Sequence, residues 1–495
     1  MHYLRTLSFV LAVSAFSAAD AAVANTESAG AIAAAVDNTT DVQLTVTGPI
    51  NAADLQWIAY KMPQLVTLDL SGAEIVAYDG DALNGQSHYD AGFIPGGIFS
   101  GSHLETVILP AATPTAIGDM TFAQSALTAV PANISAIGNG AFSRCDALTE
   151  VTLPEAVYGS HAFAGCANLK TVDLTHLADV PEAAFAGCTA LTDVKGTAQL
   201  VGIGAGAFLG CKALSAFSFG KDLATIGAEA FANTSLAEVS LADDTALAYI
   251  GPWAFAYNDK LLTAVLAPKA TPAFGEGIFF DCAALQTMTL PDAYDRLPSY
   301  FMKGVPVRTE LTIPEGVSYI GAFAMKDAKG VSKLTLPSSL GKIDDNAMEG
   351  MEGLEKITAS SLGEVPALGD DVWVGLPQSE IILLVNKNVV SDFQSADQWK
   401  EFQIVADQSG IDDVSADNSG DSKVSGRFSG TTLQLRSQGA DIDAVSLYSA
   451  DGRLLTVAAP ADSYAEIPTE YYDSRIFVVA VRLADGTTAT LKLLR

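Results

Sequence analysis

Five cysteines are the residues of this chain with the most evident capacity for chemistry. They are Cys145, Cys166, Cys188, Cys211 and Cys282, and each follows a phenylalanine by three residues. Thiols that recur at one repeat position could form a disulfide ladder or a metal site, since strands about 4.8 Å apart do not exclude disulfides. Their number is odd, however, and Ser102, Ser125, Thr234 and Asn258 take the same place elsewhere. We interpret the position as a small, half-buried structural residue, with disulfides as the alternative.

Other chemistry-bearing residues form no recognisable site. The histidines after residue 24 are His88, His103, His161 and His176, and none has metal-ligand spacing. A nucleophile elbow, a phosphate-binding P-loop and a metalloprotease helix are absent from the sequence. The aspartate pairs 243–244, 344–345, 370–371 and 412–413 lack the alternating spacing of calcium loops, and Asp79-Gly-Asp81 with Asn84-Gly85 is a weak candidate. We predict no enzymatic activity, no cofactor and no metal.

The phenylalanines before these cysteines belong to a repeat of 20 to 25 residues. The repeat is clearest at Ile137-Gly-Asn-Gly-Ala-Phe142 and Ile226-Gly-Ala-Glu-Ala-Phe231. The predicted positions of the repeated side chain are Phe99, Phe122, Phe142, Phe163, Phe185, Phe208, Phe231, Phe255, Phe279, Phe301, Phe323 and Met348. Such a period predicts a solenoid, in which stacked coils form one continuous core.

A short strand is predicted after most of these positions. Leu148-Thr-Glu-Val151-Thr-Leu153-Pro is an example, in which Val and Leu point inward and the residue between them points outward. The outward residues are predicted to be Ile108, Thr152, Asp173, Lys195, Ser218, Ser240, Leu266, Thr289, Thr335 and Thr358. This row is largely polar and has no aromatic residue, so an extended protein partner fits it better than a carbohydrate. The polar members are our candidate partner-binding residues, with a solvated face as the alternative for any one of them.

Structural units of other kinds flank the repeats. We predict a signal peptide at 1–24, an N-terminal cap at 25–62, the leucine-rich-repeat solenoid at 63–385 and a C-terminal helical cap at 386–408. The cap elements are a strand at 42–47, a helix at 52–62, a loop at 77–97, a final strand at 380–385 and a helix at 389–402. A linker at 409–428 and a small all-β sandwich at 429–495 complete the chain, with sandwich strands at 433–436, 444–448, 453–457, 476–482 and 488–494.

The repeat resembles the BspA-like (treponemal-type) leucine-rich repeat. Residues 141–153, Ala-Phe-Ser-Arg-Cys-Asp-Ala-Leu-Thr-Glu-Val-Thr-Leu, carry the pattern, and the resemblance covers residues 63–385. The resemblance implies a surface or secreted protein, often from host-associated bacteria of the Bacteroidetes type. Some members of the family bind host matrix proteins. The family has no shared catalytic residues to carry over.

The C-terminal unit resembles the sorting domain of type IX secretion. The match lies in Val445-Ser-Leu-Tyr448-Ser-Ala-Asp-Gly452-Arg-Leu-Leu and Thr490-Leu-Lys492-Leu-Leu-Arg495. The usual Pro-x-Gly-x-Tyr approach to the penultimate strand is replaced by Tyr472-Asp-Ser-Arg-Ile-Phe477, and a Pro-Asn-Pro opening is absent. A sorting signal and an accessory β-domain both remain open.

Charge and hydropathy narrow the location and the partners. The chain has 57 Asp and Glu against 27 Lys and Arg, a formal net charge of -30, which disfavours nucleic acid and anionic lipid. Arg5, an apolar stretch at 7–16 and small residues at 19–21 or 22–24 predict a cleaved signal peptide, and no later stretch predicts a transmembrane helix. We expect a secreted or outer-surface binding and adhesion protein, with an extracellular protein ligand such as a host matrix protein. A structural spacer or self-assembling envelope component, and a glycan-processing enzyme, are the alternatives.

Overall fold

The computed structural model describes most of the chain. The described residues are 21–241, 246–266, 273–290, 294–306, 310–407, 424–429, 431–438, 440–449, 453–460, 462–472, 476–486 and 488–494. They divide into two compact units, one ending at Val405 and one beginning at Ala406. Each unit has its own hydrophobic core.

An N-terminal cap covers the first coil of the solenoid. Its elements are β1 (Ala21–Asn25), α1 (Ile32–Ala35), β2 (Gln43–Ile50), α2 (Ala52–Lys61) and β3 (Thr67–Ile75), and its three strands pair in parallel. Asn51 and Asp54 form a capping box at the start of α2. The buried Asp54 carboxylate also accepts hydrogen bonds from the main-chain N–H groups of Gly30 and Ile32 at 2.7 and 3.1 Å. The predicted strand and helix are present, but the predicted boundary at residue 24 falls inside β1.

A hairpin occupies the region predicted as a long loop. Its strands are β4 (Tyr78–Leu83) and β5 (Gln86–Tyr89), which pair antiparallel. Asn84 and Gly85 form the turn with φ of 49° and 83°, as a two-residue hairpin requires. The segment predicted as a loop therefore contains two strands, and the predicted turn-forming Asn84-Gly85 pair is where the turn lies.

Most coils of the solenoid contribute a strand to a first sheet row. After β1, β2 and β3 its strands are β7 (Thr106–Ile108), β10 (Glu150–Thr152), β12 (Thr171–Asp173), β14 (Asp193–Lys195), β17 (Glu238–Ser240), β19 (Thr263–Val265), β21 (Thr287–Thr289), β23 (Leu311–Thr312), β25 (Lys333–Thr335), β27 (Lys356–Ala359), β29 (Ile382–Asn386) and β30 (Gln403–Asp407). They form four sheets, β1-β2-β3-β7, β10-β12-β14, β17-β19-β21 and β23-β25-β27-β29-β30. The described coils between β7 and β10 and between β14 and β17 contribute no strand to this row.

A second sheet row, not predicted as strands, runs along the Ile-Gly ends of the coils. Its strands are β6 (Phe93–Ile94), β8 (Thr115–Ile117), β9 (Ile134–Ile137), β11 (Val157–Tyr158), β13 (Asp179–Val180), β15 (Gly202–Ile203), β16 (Thr225–Ile226), β18 (Tyr249–Ile250), β20 (Ala273–Phe274), β22 (Arg296–Leu297), β24 (Tyr319–Ile320), β26 (Lys342–Ile343) and β28 (Ala367–Leu368). The glycines after these isoleucines allow close stacking, because a Cβ at Gly227 or Gly251 would lie 2.4 Å from a main-chain nitrogen of the preceding coil.

A ladder of stacked side chains fills the core between the two rows. It comprises Phe99, Phe122, Phe142, Phe163, Phe185, Phe208, Phe231, Phe255, Phe279, Met302, Met325, Met348 and Trp373. Consecutive phenylalanine rings lie 5.3 to 5.8 Å apart with planes within 16° of parallel. Each such contact adds about 0.5–1.5 kcal/mol to the free energy gained by burying the rings.

Two predicted ladder positions were wrong. Met302 and Met325, each five residues after the aliphatic residue of the second row, occupy the ladder and donate main-chain hydrogen bonds to Ala324 and Ala347 of the next coil at 2.8 Å. Phe301 is buried beside the ladder, whereas Phe323 is half-buried at the surface. The five-residue spacing, rather than the nearest phenylalanine, marks the ladder residue.

Two positions per coil have positive φ and frame the ladder residue. Those two residues before it are Gly97, Met120, Gly140, His161, Ala183, Gly206, Glu229, Trp253, Gly277, Tyr300, Phe323, Asn346 and Asp371. Those two residues after it are Gly101, Gln124, Arg144, Gly165, Gly187, Gly210, Asn233, Tyr257, Asp281, Gly304, Asp327, Gly350 and Gly375. These left-handed positions turn the chain sharply around each ladder side chain.

Aromatic side chains close the C-terminal end of the solenoid. Trp399 packs on Trp373 and Phe393 with centroid distances of 5.2 and 5.3 Å, and its Nε1 donates to the Pro366 carbonyl at 3.1 Å. The predicted helix at 389–402 is shorter, since α3 covers only Val390–Ser395, with 3₁₀ turns on both sides. The strand β30, which was not predicted, follows it.

The C-terminal unit is a two-sheet β-structure. Its strands are β31 (Val424–Ser429), β32 (Thr432–Ser437), β33 (Ile442–Ser449), β34 (Leu454–Ala458), β35 (Tyr464–Pro468), β36 (Ile476–Leu483) and β37 (Thr488–Leu494), in the orders β31-β32-β35 and β34-β33-β36-β37. All five predicted strands are present, whereas β35 was missed and β31 lies in the range assigned to the linker. The remaining linker residues, 409–423, lie outside the described residues.

No helix in the described ranges is both long enough and apolar enough to cross a membrane.

Candidate binding surface of the first sheet row

The predicted outward residues line one column of the first sheet row. Parallel register aligns Thr152 with Asp173 and Lys195, Ser240 with Val265 and Thr289, and Thr335 with Thr358. All of these residues are exposed or half-buried and occupy the third position of their strands. Leu266, predicted to point outward, is fully buried, and Val265 takes its place on the face. Ser218 is exposed but belongs to no strand.

A second outward column runs beside the first and was missed. It is formed by first-position residues, namely Thr106, Glu150, Thr171, Asp193, Glu238, Thr263, Thr287, Lys333 and Lys356. The same two-residue alternation that identified the third position places these residues on the same face. The candidate surface is therefore two side chains wide, and charged residues are more frequent in this column.

Charges on this face are arranged in local pairs. Lys333 pairs with Glu310 of the preceding coil, which lowers the pKa of Glu310 and raises that of Lys333. The Asp173 carboxylate accepts hydrogen bonds from the side chain and main chain of Thr175, which lower its pKa. Lys195 lies 3.5 Å from Asp193. Because these groups are exposed, they contribute little to stability and are available to a partner.

A groove interrupts the face between β14 and β17. Its volume is about 870 Å³, and it is lined by Thr192, Asp193, Val194, Ser215, Ala216, Phe217, Ser218, Phe219, Lys221, Ala237, Glu238, Ser240 and Leu241. The intervening coil forms no strand there. Ser218, the predicted residue outside the column, lines this groove.

Two phenylalanines account for the interruption. Phe217 and Phe219 occupy the places that Val239 and Leu241 take in the next coil, and their rings reach the ladder residue Phe231 at 4.8 and 5.4 Å. A phenylalanine side chain is larger than that of valine or leucine, so the backbone cannot keep the position of a regular strand while both rings pack against the ladder. The coil consequently leaves the sheet, and Val194 is only half-buried although its counterparts Val172 and Val239 are fully buried.

An aromatic cluster at the positive-φ turns of the coils was not predicted. Trp253, Tyr257, Tyr300 and Phe323 stand at positive-φ positions, and Phe280 lies among them. The cluster is half-buried to exposed, and Lys303 lies 5.0 Å above the Phe280 ring. Its signal in the sequence is the presence of bulky residues at the two repeat positions that hold glycine in other coils.

The cysteines are buried structural donors. All five are free thiols, and each Sγ donates to the carbonyl of the ladder phenylalanine one coil earlier at 3.0 to 3.2 Å. Asn258, in the same position, donates to Phe231 and Phe255 carbonyls at 2.9 and 2.8 Å. The shared role is a small donor that satisfies a buried carbonyl. At the five cysteines and Asn258 the position is fully buried rather than half-buried as predicted, whereas Ser102 is half-buried.

The weak calcium candidate is organised by a histidine. His88 contacts Asp79 and Asp90 at 2.7 and 3.3 Å, and these hydrogen bonds raise its pKa. Of the other aspartate pairs, 243–244 and 412–413 lie outside the described residues, and Asp345 accepts a hydrogen bond from the main chain of Asp370 at 2.8 Å. Among the residues that the structure describes, no group of three His, Cys, Asp or Glu side chains could hold a metal ion.

The fold defines the class of the protein. Parallel coils with an inward Leu-x-x-Val-x-Leu strand and a stacked ladder make it a leucine-rich-repeat solenoid, and such solenoids use extended surfaces for recognition. The family model for the BspA type leucine rich repeat region matches residues 91–192, 178–306 and 297–372 in six copies. The chain belongs to this family, and the comparison indicates no enzymatic family.

A solved structure with a TM-score of 0.58 shows the same fold. A leucine-rich repeat protein from Bacteroides ovatus is 20% identical, with 78% of this chain and 92% of that chain covered at a TM-score of 0.58. A leucine rich cell surface protein from Faecalibacterium prausnitzii is 17% identical, with 59% and 86% covered at a TM-score of 0.25. Comparison with curated proteins finds no match.

Proposed function

We propose that this protein is an exported surface protein that binds an extracellular protein partner, such as a host matrix protein, through its first sheet row. The observation that carries the proposal is the two-column polar face, in which outward residues repeat in register from coil to coil. Such a face offers hydrogen bonds and charges at regular intervals to an extended partner. We propose no enzymatic role, because the polar side chains of this face do not converge on one reacting centre.

Export forms part of the proposal. The predicted leader has two possible cleavage sites, and cleavage after Ala21 would leave most of β1, whereas cleavage after Ala24 would remove it. Ala24 is fully buried, and β1 pairs with β2 over five residues. We therefore favour cleavage after Ala21. The C-terminal unit is proposed as a sorting domain or an accessory β-domain.

Binding of the purified protein to a panel of matrix proteins and glycans, with salt titration, tests the proposal. We expect saturable binding to a matrix protein. Replacing Thr152 or Thr289 by arginine, Thr152→Arg or Thr289→Arg, should weaken it at least tenfold, since a long cationic side chain would stand in the partner's path. Thr225→Arg, an exposed threonine of the second sheet row, is the matched control and should bind normally.

Two results would contradict the proposal. Equal weakening by all three variants would move the site away from the first sheet row. The second result is that the folded protein binds no member of the panel and self-associates with concentration in sedimentation experiments. That result would favour the spacer or self-assembling role.

A further inference from the structure

We infer that the break between β14 and β17 receives an extended segment of a protein partner, whose main chain hydrogen-bonds to the edges of both strands. This inference rests on the proposed function and assigns the part of the face that grips the partner. The segment would lie between β14 and β17, where residues 216–219 make no main-chain hydrogen bond to either strand.

The backbone on both sides of the break is open. Among the described residues, β14 pairs only with β12, and β17 pairs only with β19. Two segments flank the break, residues 192–197 and residues 237–241. Within residues 192–241, only Ser215 of the intervening residues 215–219 makes a main-chain hydrogen bond to either segment: its carbonyl accepts from the Ala237 N–H at 3.1 Å. Residues 216–219 make no main-chain hydrogen bond to either segment.

The direction of the free groups follows from the parallel ladder. The Lys195 carbonyl accepts a hydrogen bond from the Leu174 N–H, and the Leu241 N–H donates one to the Val265 carbonyl. Both bonds point away from the break. Alternate residues of a parallel strand face alternate neighbours. Val194 therefore directs its N–H and C=O groups to the break from one side, and Glu238 and Ser240 direct theirs from the other.

The floor and the rim of the groove define the segment further. Half-buried Val194, Phe217 and Phe219 give an apolar floor, which suits every second side chain of an extended peptide. The exposed carboxylates of Asp193 and Glu238 stand on opposite rims, Lys195 lies 3.5 Å from Asp193, and Lys221 is paired with Asp222 at 2.7 Å. The Glu238 carboxylate favours a segment that alternates apolar with basic or hydroxyl-bearing residues.

A fluorescent heptapeptide, Thr-Val-Lys-Val-Lys-Val-Thr, tests the inference with the full-length protein. We expect saturable binding that protects residues 192–197 and 237–241 from hydrogen exchange. Two analogues carry one N-methyl group each, on adjacent central residues. A strand held between two edges uses both sets of N–H groups, so both analogues should bind at least fivefold more weakly. A strand on one edge alone would lose affinity with only one analogue, which would overturn the inserted geometry.

Closing the break supplies the complementary test. The double variant Phe217→Val, Phe219→Leu restores the side chains of the neighbouring coils and should let the coil rejoin the sheet. We expect at least tenfold weaker peptide binding, and slow hydrogen exchange at residues 192–197 without peptide. Thr335→Val, on an unbroken part of the same face, should bind the peptide normally.

A second double variant tests the inference even if the first double variant does not fold. Asp193→Lys with Glu238→Lys reverses both rim charges and should weaken binding of the basic peptide at least fivefold. Unchanged affinity in both double variants, or slow exchange of both segments in the free wild-type protein, would overturn the inference. If the wild-type protein binds a matrix protein but not the peptide, only this inference is refuted. If it binds the peptide but no matrix protein, only the matrix-protein assignment is refuted.

Discussion

The residues flanking the ladder carry much of the cost of building each coil. A left-handed backbone costs a non-glycine residue about 1–2 kcal/mol, yet most of these positions hold side chains other than glycine. The stacking of one coil on the next must offset this cost. Where the residue is also buried and makes no polar contact, the strain should be open to relief by mutation.

Ala183 provides that test. It has φ of 49° and is almost buried, and glycine takes its place two coils earlier and one coil later, at Gly140 and Gly206. We expect Ala183→Gly to raise the free energy of unfolding by about 0.5 kcal/mol, because relief of the left-handed strain exceeds the added entropy of the unfolded chain. Ala184→Gly, a buried neighbour without positive φ, should lower it by about 1.5 kcal/mol. Denaturant titration measures both, and a loss of stability in Ala183→Gly would refute the strain.

The buried thiols should lower the free energy of unfolding at alkaline pH. Burial raises the pKa of Cys282 from its ordinary value of 9.0 to about 12, and that of Cys211 likewise to about 12. Because the folded pKa is raised, the stabilisation is complete below pH 9 and is lost as pH rises towards 12. At pH 10 each such thiol should cost about 1.4 kcal/mol of unfolding free energy relative to pH 8. Cys282→Ser should remove one such share of the loss, whereas Met302→Leu should show the full wild-type loss.

The spacing of residues explains why most ladder residues were predicted correctly from the sequence and two were not. The phenylalanines from Phe99 to Phe279 were placed correctly because stacking coils repeat one large side chain at one spacing. The predictions of Phe301 and Phe323 are wrong because the ladder follows the distance from the second row rather than the residue type, so Met302 and Met325 take these places. The positive-φ positions went unrecognised, since residues such as Trp253 and Tyr300 give no local sign of a left-handed backbone.

At the scale of elements, sequence patterns were reliable where burial alternates and unreliable where it does not. The strands of the first sheet row follow a two-residue alternation, and the helix α2 follows a capping box. The strands of the second row are two to four residues long, too short for alternation to mark them. The groove depends on the volume of Phe217 and Phe219, which are ordinary strand residues by propensity, so only the packed structure shows the break.

The C-terminal cap should be a separate source of stability. Trp399 is buried among Trp373, Phe393 and Phe402. We expect Trp399→Ala to cost about 3–5 kcal/mol, and to loosen the coils nearest the cap first because each coil contacts only its neighbours. Hydrogen exchange should quicken over residues 367–402 and remain slow over residues 134–203. Trp57→Ala in the N-terminal cap is the control, with faster exchange confined to that end, and uniform quickening in either variant would contradict local capping.

At the scale of the whole molecule, two separate hydrophobic cores predict two folding units. The solenoid core ends with Phe402, and the core of the C-terminal unit begins with Val424. A fragment of residues 21–407 retains the strands β1 to β30 and should unfold at the same denaturant midpoint as the solenoid in the full chain. Its denaturant dependence should also be unchanged, since the slope reflects the surface exposed by that unit. A lower midpoint would show that residues 408–495 stabilise the solenoid.

The fragment that begins at residue 26 examines the N-terminal end by the same measurement. It lacks β1, so the edge of β2 loses the main-chain hydrogen bonds of five paired residues and the fully buried Ala24. We expect its midpoint to be lower than that of 21–407, because an end of a solenoid without its cover exposes apolar surface and an open strand edge. Equal midpoints would show that β1 adds nothing to the cap, and the argument for cleavage after Ala21 would then fail.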